Sequence, residues 1–305
     1  MRTFKALIKR EYWENRGSMF LTPAIMTIFF AGLALIGLIS ANSITVNGDD
    51  FSILNKMPQL VEQIEHHSEE ERERAVQIAL YVPIAIFGFV MFLVSVFYSV
   101  GSLYDERKDR SILFWKSLPI SDTSTVLSKF AAVTLMIPVF YFAALFAFQI
   151  YSLIFGTVLL WFGGDSGLVV WASSNLFVVA FNSLVGLVMS SLWLAPIWGW
   201  LMFASVCAKR VAILWGTLPI ALVAIAEGTV FNSAEFISMV GKHIAKGAMV
   251  ATASINNLER EGGALGMDLQ HPLEAFSVAD FWIGLVVAAG FLAGAIYIRR
   301  FRDES

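Results

Sequence analysis

The sequence predicts an all-α polytopic membrane protein, with six transmembrane helices behind an N-terminal interfacial helix in a single transmembrane domain over residues 1–305. Three observations predict it. The chain is 57 % hydrophobic and 15 % charged, with mean hydropathy +0.70, which is more apolar surface than one soluble core of this size can enclose. Its apolar residues gather into runs of about 20 or more, the length a helix needs to cross about 30 Å of hydrocarbon. Its basic residues are concentrated in alternate connections between those runs, as a fixed orientation in a bilayer requires.

The elements follow in order. In residues 1–18, Phe4, Leu7, Ile8 and Tyr12 share one helical face while charges occupy much of the remainder, a pattern suited to a helix lying in the membrane interface. Trp13 falls off that face. Spans are expected at about 19–40, 78–103, 130–160, 168–207, 211–231 and 279–298. The first is longer than the about 7–15 apolar residues of a cleavable signal. Despite the small residues Ser40, Ala41 and Ser43 that follow, it reads as a retained helix. The fourth region holds 40 residues, and a straight helix of that length would run about 60 Å, twice the hydrocarbon thickness. Pro196, within Leu194-Ala195-Pro196-Ile197, lacks a backbone donor and predicts one kinked crossing.

Basic residues near span ends are retained on the cytoplasmic side. With both termini inside, the inner segments hold 15 of the 21 Lys and Arg, from Arg2 to Arg16, Arg107 to Lys129, Lys209 with Arg210, and Arg299 to Arg302. Segments 41–77 and 232–278, with Lys56, Arg72, Arg74, Lys242, Lys246 and Arg260, are then extracytoplasmic, and 104–128 is a cytoplasmic loop.

Enzymatic readings find little support. The chain has no His-Glu-x-x-His pair, no Cys-x-x-Cys, no Gly-x-Ser-x-Gly elbow and no dinucleotide glycine pattern. Gly241-Lys242 is followed by His243 and lacks the upstream glycine of a phosphate loop, so the chain is not expected to hydrolyse ATP. Glu69-Glu70-Glu71-Arg72-Glu73-Arg74 matches a Glu-Glu-x-x-x-Arg pattern of intramembrane proteases, but it lies in a polar segment and reads as an exposed helix. His66 and His67 read as solvated residues for want of further ligands. Cys207, the single cysteine, excludes an intrachain disulfide.

The most informative stretch leaves the second span as Tyr104-Asp105-Glu106-Arg107-Lys108-Asp109-Arg110, continues through Phe114-Trp115 and reaches Leu118-Pro119-Ile120-Ser121. It resembles the cytoplasmic loop of type-2 ABC transporter permeases, where a charged turn and a short helix precede a small motif around proline. The resemblance takes in Lys9-Arg10-Glu11, the six-span plan, Ala208-Lys209-Arg210, and Leu218-Pro219 with Glu227. It implies the membrane subunit of an exporter in the bacterial inner membrane, paired with a second permease copy or paralogue and bound by two copies of an ABC ATPase. ATP and Mg would be held by that partner and no cofactor by this chain, whose other neighbour is membrane lipid, not nucleic acid. It further implies that Asp105, Glu106, Arg107, Lys108, Asp109, Arg110, Phe114, Trp115, Leu118 and Pro119 couple the chain to the ATPase. A secondary transporter or channel is the alternative reading, and an intramembrane enzyme or scaffold the third.

Within the spans, Glu227 is the one acidic residue set inside an apolar run, and intramembrane charge suggests a role. With Asn182, Ser190 and Pro196 it forms the candidate set for a pathway or gate, although Ser and Asn also mediate helix packing in membranes. The substrate is not legible. The topology makes a direct prediction: in a variant lacking Cys207, cysteines placed at Glu70 and Glu259 react with an impermeant thiol reagent in intact cells, and one at Lys108 does not. Labelling of Lys108→Cys from outside would overturn the six-span arrangement.

Overall fold

Within hydrocarbon a backbone must satisfy its own hydrogen bonds, which favours helices, and the computed structural model is helical almost throughout. It describes residues 2–41, 44–46, 49–51, 58–59, 68–164, 167–253 and 271–301. Lys56, His66, His67, Glu259, Arg260 and Arg302 lie outside the described residues. Six helical stretches are long and apolar enough to cross a membrane: Gly17–Ser40, Glu69–Lys108, Asp122–Phe162, Leu176–Trp193, Ala212–Val230 and Ala279–Phe301. The chain is an all-α multi-pass membrane protein.

Helix α1 (Arg2–Glu14) is joined through a π-helical turn, Gly17–Leu21, to α2 (Thr22–Ala41). A small antiparallel hairpin follows, β1 (Ile44–Val46) against β2 (Asp49–Phe51), with Ile44 opposite Phe51. The second span starts well before its expected position. Ser68 and Glu71 form a reciprocal capping box, satisfying two otherwise orphaned N–H groups, and α3 (Glu69–Tyr81) runs directly into α4 (Pro83–Gly101) and α5 (Tyr104–Lys108). The whole stretch is 40 residues, about 60 Å at 1.5 Å per residue, so it projects beyond any bilayer. The Glu69–Arg74 run is thus the first turns of a helix. After α6 (Ser111–Ser117), helices α7 (Asp122–Ala131) and α8 (Ile137–Phe162), joined by a π-helical turn at Ala132–Met136, make the third span.

The fourth region is broken twice. Helix α9 (Leu168–Ser174) ends at Asn175, whose φ of 44° is left-handed, a conformation asparagine tolerates better than most. Helix α10 (Leu176–Trp193) then passes at Leu194 into α11 (Ala195–Cys207), with Pro196 in its first turn. The helix is interrupted at Leu194, two residues before Pro196, and the Trp198 indole N–H donates to the Ser191 carbonyl at 2.9 Å across the break.

Helix α12 (Ala212–Val230) leads to a segment that holds more than a polar connection. Helix α13 (Glu235–Ala251) turns back into the bundle and packs on α10, with Val250 and Ala251 buried. Glycine allows this approach. A Cβ on Gly186 would sit 2.7 Å from the Ala251 carbonyl oxygen, and one on Gly247 would sit 2.8 Å from the Leu194 side chain. A 3₁₀ turn at Pro272–Ser277 precedes α14 (Ala279–Phe301), which runs along α11. Gly199 against the Ala288 backbone and Gly294 against the Phe203 ring bring that pair close, the small-residue packing that replaces the hydrophobic drive in lipid.

Hydrogen bonds to backbone tie the first span to the third: Thr27 Oγ1 donates to the Ala144 carbonyl at 3.1 Å and the Tyr151 hydroxyl to that of Ala31 at 2.8 Å. Trp193, Trp198, Tyr141, Phe87 and Phe281 fill the core. Helices α2 and α12, by contrast, leave most of their apolar surface uncovered. The Gly186 contact yields a prediction. Gly186→Ala should lower stability by about 1–3 kcal/mol, as overpacking does, seen as a drop in thermal midpoint in detergent. Gly290→Ala, where a Cβ meets nothing within 4 Å, should leave it unchanged.

Candidate functional site

The chemistry of the chain gathers where α1, α4, α5, α7 and α14 meet. Helix α1 is amphipathic in an unexpected way, since its inward face carries not only Leu7 but Glu11, which is 0 % exposed. A carboxylate cannot remain charged there without partners. Lys129 of α7 supplies one from 2.9 Å, and the Tyr98 hydroxyl of α4 donates to the other oxygen at 2.8 Å. Glu106 of α5 stands beside this pair, also buried, and accepts from three cations: Arg10 at 2.6 Å, Arg299 at 2.8 Å and Lys129 at 3.1 Å. Arg299 turns its Nε to Asp122 at 2.9 Å, and Arg10 turns its Nε to Glu14 at 2.7 Å.

Three cations therefore meet four carboxylates, with Glu11 and Glu106 buried and Asp122 and Glu14 toward the rim. The Glu11 and Glu106 pairs lie shielded from water, where Coulomb attraction is strongest. Burial works against the Arg10 charge, but hydrogen bonds and attraction from Glu14 and Glu106 outweigh it and hold its pKa above the ordinary arginine value.

The predicted coupling residues divide into two groups. Glu106 is buried and held by three internal cations. Arg107 also turns inward, donating from Nη2 to the Ser205 and Ala208 carbonyls at the C-terminus of α11, where unpaired carbonyls favour a cation. The Ser205 hydroxyl in turn accepts from the Tyr104 N–H at 2.8 Å, which fixes α5 against α11. Asp105 lies over Gly101, and it, Lys108, Asp109 and Arg110 are exposed. Arg110 adopts a left-handed φ of 56°, which reverses the chain between α5 and α6. On α6, Phe114 is 60 % exposed and Leu113 56 %. Trp115 is half-buried beneath the Arg10 guanidinium, 3.7 Å from its ring centroid. Leu118 is half-buried in the extended stretch that follows, and Pro119 is exposed.

The pathway candidates do not converge. Glu227 lies near the end of α12 and accepts from the Ser233 hydroxyl at 2.6 Å and from the Glu235 and Phe236 N–H groups at 2.8 and 3.0 Å. It therefore caps α13, satisfying the donors that a helix N-terminus leaves open. Asn182 donates to the Tyr81 hydroxyl at 3.2 Å and pairs through Oδ1 with His271 Nε2 at 2.9 Å. Because His271 Nδ1 accepts from the Leu273 N–H, the ring proton sits on Nε2. Ser190 is buried in the core, and Pro196 starts α11 against Gly284. Sequence reasoning missed Gln149, fully buried on α8 and donating to the Leu80 carbonyl and the Ser183 hydroxyl, both at 3.2 Å. A lone amide in an apolar run is the signal for it, since that group is costly in hydrocarbon unless bonded. Among the described residues no three His, Cys, Asp or Glu side chains gather as metal ligands.

Two predictions follow from these contacts. Glu106→Gln removes the charge shared by Arg10, Lys129 and Arg299 and should cost about 3–5 kcal/mol, the effect of orphaning buried charges, whereas Asp109→Asn on the exposed turn should change thermal stability little. Glu227→Ala should accelerate amide exchange at Glu235 and Phe236 without loosening the rest of α13, and Glu227→Gln, which keeps an acceptor oxygen, should restore part of the protection. Unchanged exchange in Glu227→Ala would remove its capping role. No family model, curated protein or solved structure matches the chain.

Proposed function

We propose that the chain is the permease subunit of an ATP-driven ABC exporter in a bacterial inner membrane, pairing with a second permease and powered by two copies of a separate ATPase that binds Mg and ATP. The observation that carries this reading is helix α6. It presents Leu113 and Phe114 to solvent beside Lys108, Asp109 and Arg110, an apolar anchor with a charged rim of the kind that dominates interface energetics. Its mounting is rigid. Arg10 holds Trp115 from one side, and the buried cluster ties the preceding α5 to the first helix, the third span and the sixth. A push on α6 would reach three spans at once, which is what transmission from a soluble motor requires. In this reading the termini and the 104–128 loop are cytoplasmic, and the bare faces of α2 and α12 are available to the second permease and to lipid.

In this reading the anchors are Leu113 and Phe114, which are more exposed than Trp115. Phe114→Ala combined with Leu113→Ala should weaken ATPase association by about 2 kcal/mol or more, close to 30-fold, while Asp109→Lys at the rim should do less. The measurement is ATPase recovered with tagged permease from membranes at equal permease levels, together with substrate-stimulated hydrolysis. Full association and coupling in the double variant would sink the docking role of α6. Recovery of the protein with no ATPase under any condition would favour a secondary transporter.

A further inference from the structure

A second polar feature lies at the same end of the bundle and takes no part in the charge cluster. Between α5 and the connection after α11 there is a cleft of about 220 Å³, lined by Tyr104, Arg107, Lys108, Ala208 and Lys209. Three of those residues are cationic and none is acidic. Of the carboxylates beside these residues, Glu106 is turned into the charge cluster, Asp109 is exposed on the turn, and Asp105 lies over Gly101 within electrostatic range of Lys108. The walls are fixed, because Arg107 is bonded to the Ser205 and Ala208 carbonyls and the Tyr104 hydroxyl donates to the Arg210 carbonyl. The two lysines are exposed and carry no such bond.

We infer that this cleft binds the phosphate of an anionic phospholipid. Charge selects the ligand class, since a compact concave site holding three cations and no carboxylate suits a phosphate oxyanion, and basic pockets at the ends of membrane helices bind acidic headgroups. The surroundings choose lipid over free phosphate. Two residues beyond Lys209 the exposed Val211 leads into α12, where Leu214, Trp215 and Leu218 form an exposed apolar stripe on one helical face. A headgroup seated on Lys108 and Lys209 would lay its acyl chains along that stripe. The assignment needs only the membrane location of the chain and is independent of whether an ATPase docks on α6.

The test uses the purified full-length chain, stripped of lipid in a neutral detergent, with binding of phosphatidylglycerol and phosphatidylcholine followed by native mass spectrometry. Phosphatidylglycerol should bind the wild type more tightly than phosphatidylcholine. K108Q/K209Q should weaken the phosphatidylglycerol affinity about tenfold or more, given the contribution of each basic residue near a headgroup. K5Q/K116Q removes the same charge from exposed positions elsewhere and should bind as the wild type does. Equal affinity in K108Q/K209Q and wild type overturns the site. So does equal weakening in the two double variants, which would assign the effect to diffuse positive charge. Competition by inorganic phosphate as effective as that by phosphatidylglycerol overturns the lipid assignment.

Discussion

The Glu106 carboxylate and its three cations are the constraint on which the remaining arrangement depends. Removing such a group from water costs several kcal/mol, and the cost is tolerable only because Arg10, Lys129 and Arg299 arrive from three separate parts of the chain. Arg10 lies 96 residues before Glu106 and Arg299 lies 193 after it. One side chain therefore fixes where the first helix lies, where the last one ends and how the third span begins. Buried ion pairs are poor sources of net stability, but they penalise any arrangement in which a partner is missing. That penalty gives the loop after the second span a defined position.

The opposite end of the bundle is held by different means. Gln149, Asn182 and His271 make neutral hydrogen bonds of the kind that in membranes contribute modestly, and α13 is seated on α10 through the backbone contact at Gly186. Glu227 anchors only the start of α13. The molecule thus has an end organised by charge and an end organised by amides and close packing. In the proposed transporter, the end organised by charge is the one that would receive the motor. The cleft proposed for lipid falls at the end organised by charge, where a bound headgroup would lie alongside α5.

The spans were legible because about 20 consecutive apolar residues have few other fates, and the helix break beside Pro196 falls near the residue that lacks a backbone donor. The charged segment 104–110 was legible as important, but the destination of each charge was not. Glu106 and Asp109 look alike in sequence, and only the fold shows that one faces Arg299 while the other faces solvent. The Glu11–Lys129 pair spans 118 residues, beyond any local periodicity. The stacking of Arg10 on Trp115 was likewise not legible, because the two residues are remote in sequence. Helix α13 was hidden for another reason. Its mixture of Ser, Gly, Lys and His lowers its hydropathy below that of a span, so packing on α10 could not be read from composition.

The central claim is that Glu106 joins the two ends of the chain, and Arg10 with Arg299 provides the most direct test, since each touches Glu106 from a different helix. Unfolding free energies in micelles would be measured for Arg10→Gln, Arg299→Gln and the pair, first with Glu106 present and then with Glu106→Gln. The account predicts that the pair departs from the sum of its singles by about 0.5 kcal/mol or more, as residues sharing a partner do, and that the departure disappears once Glu106 is neutral. Additivity in both backgrounds would contradict it.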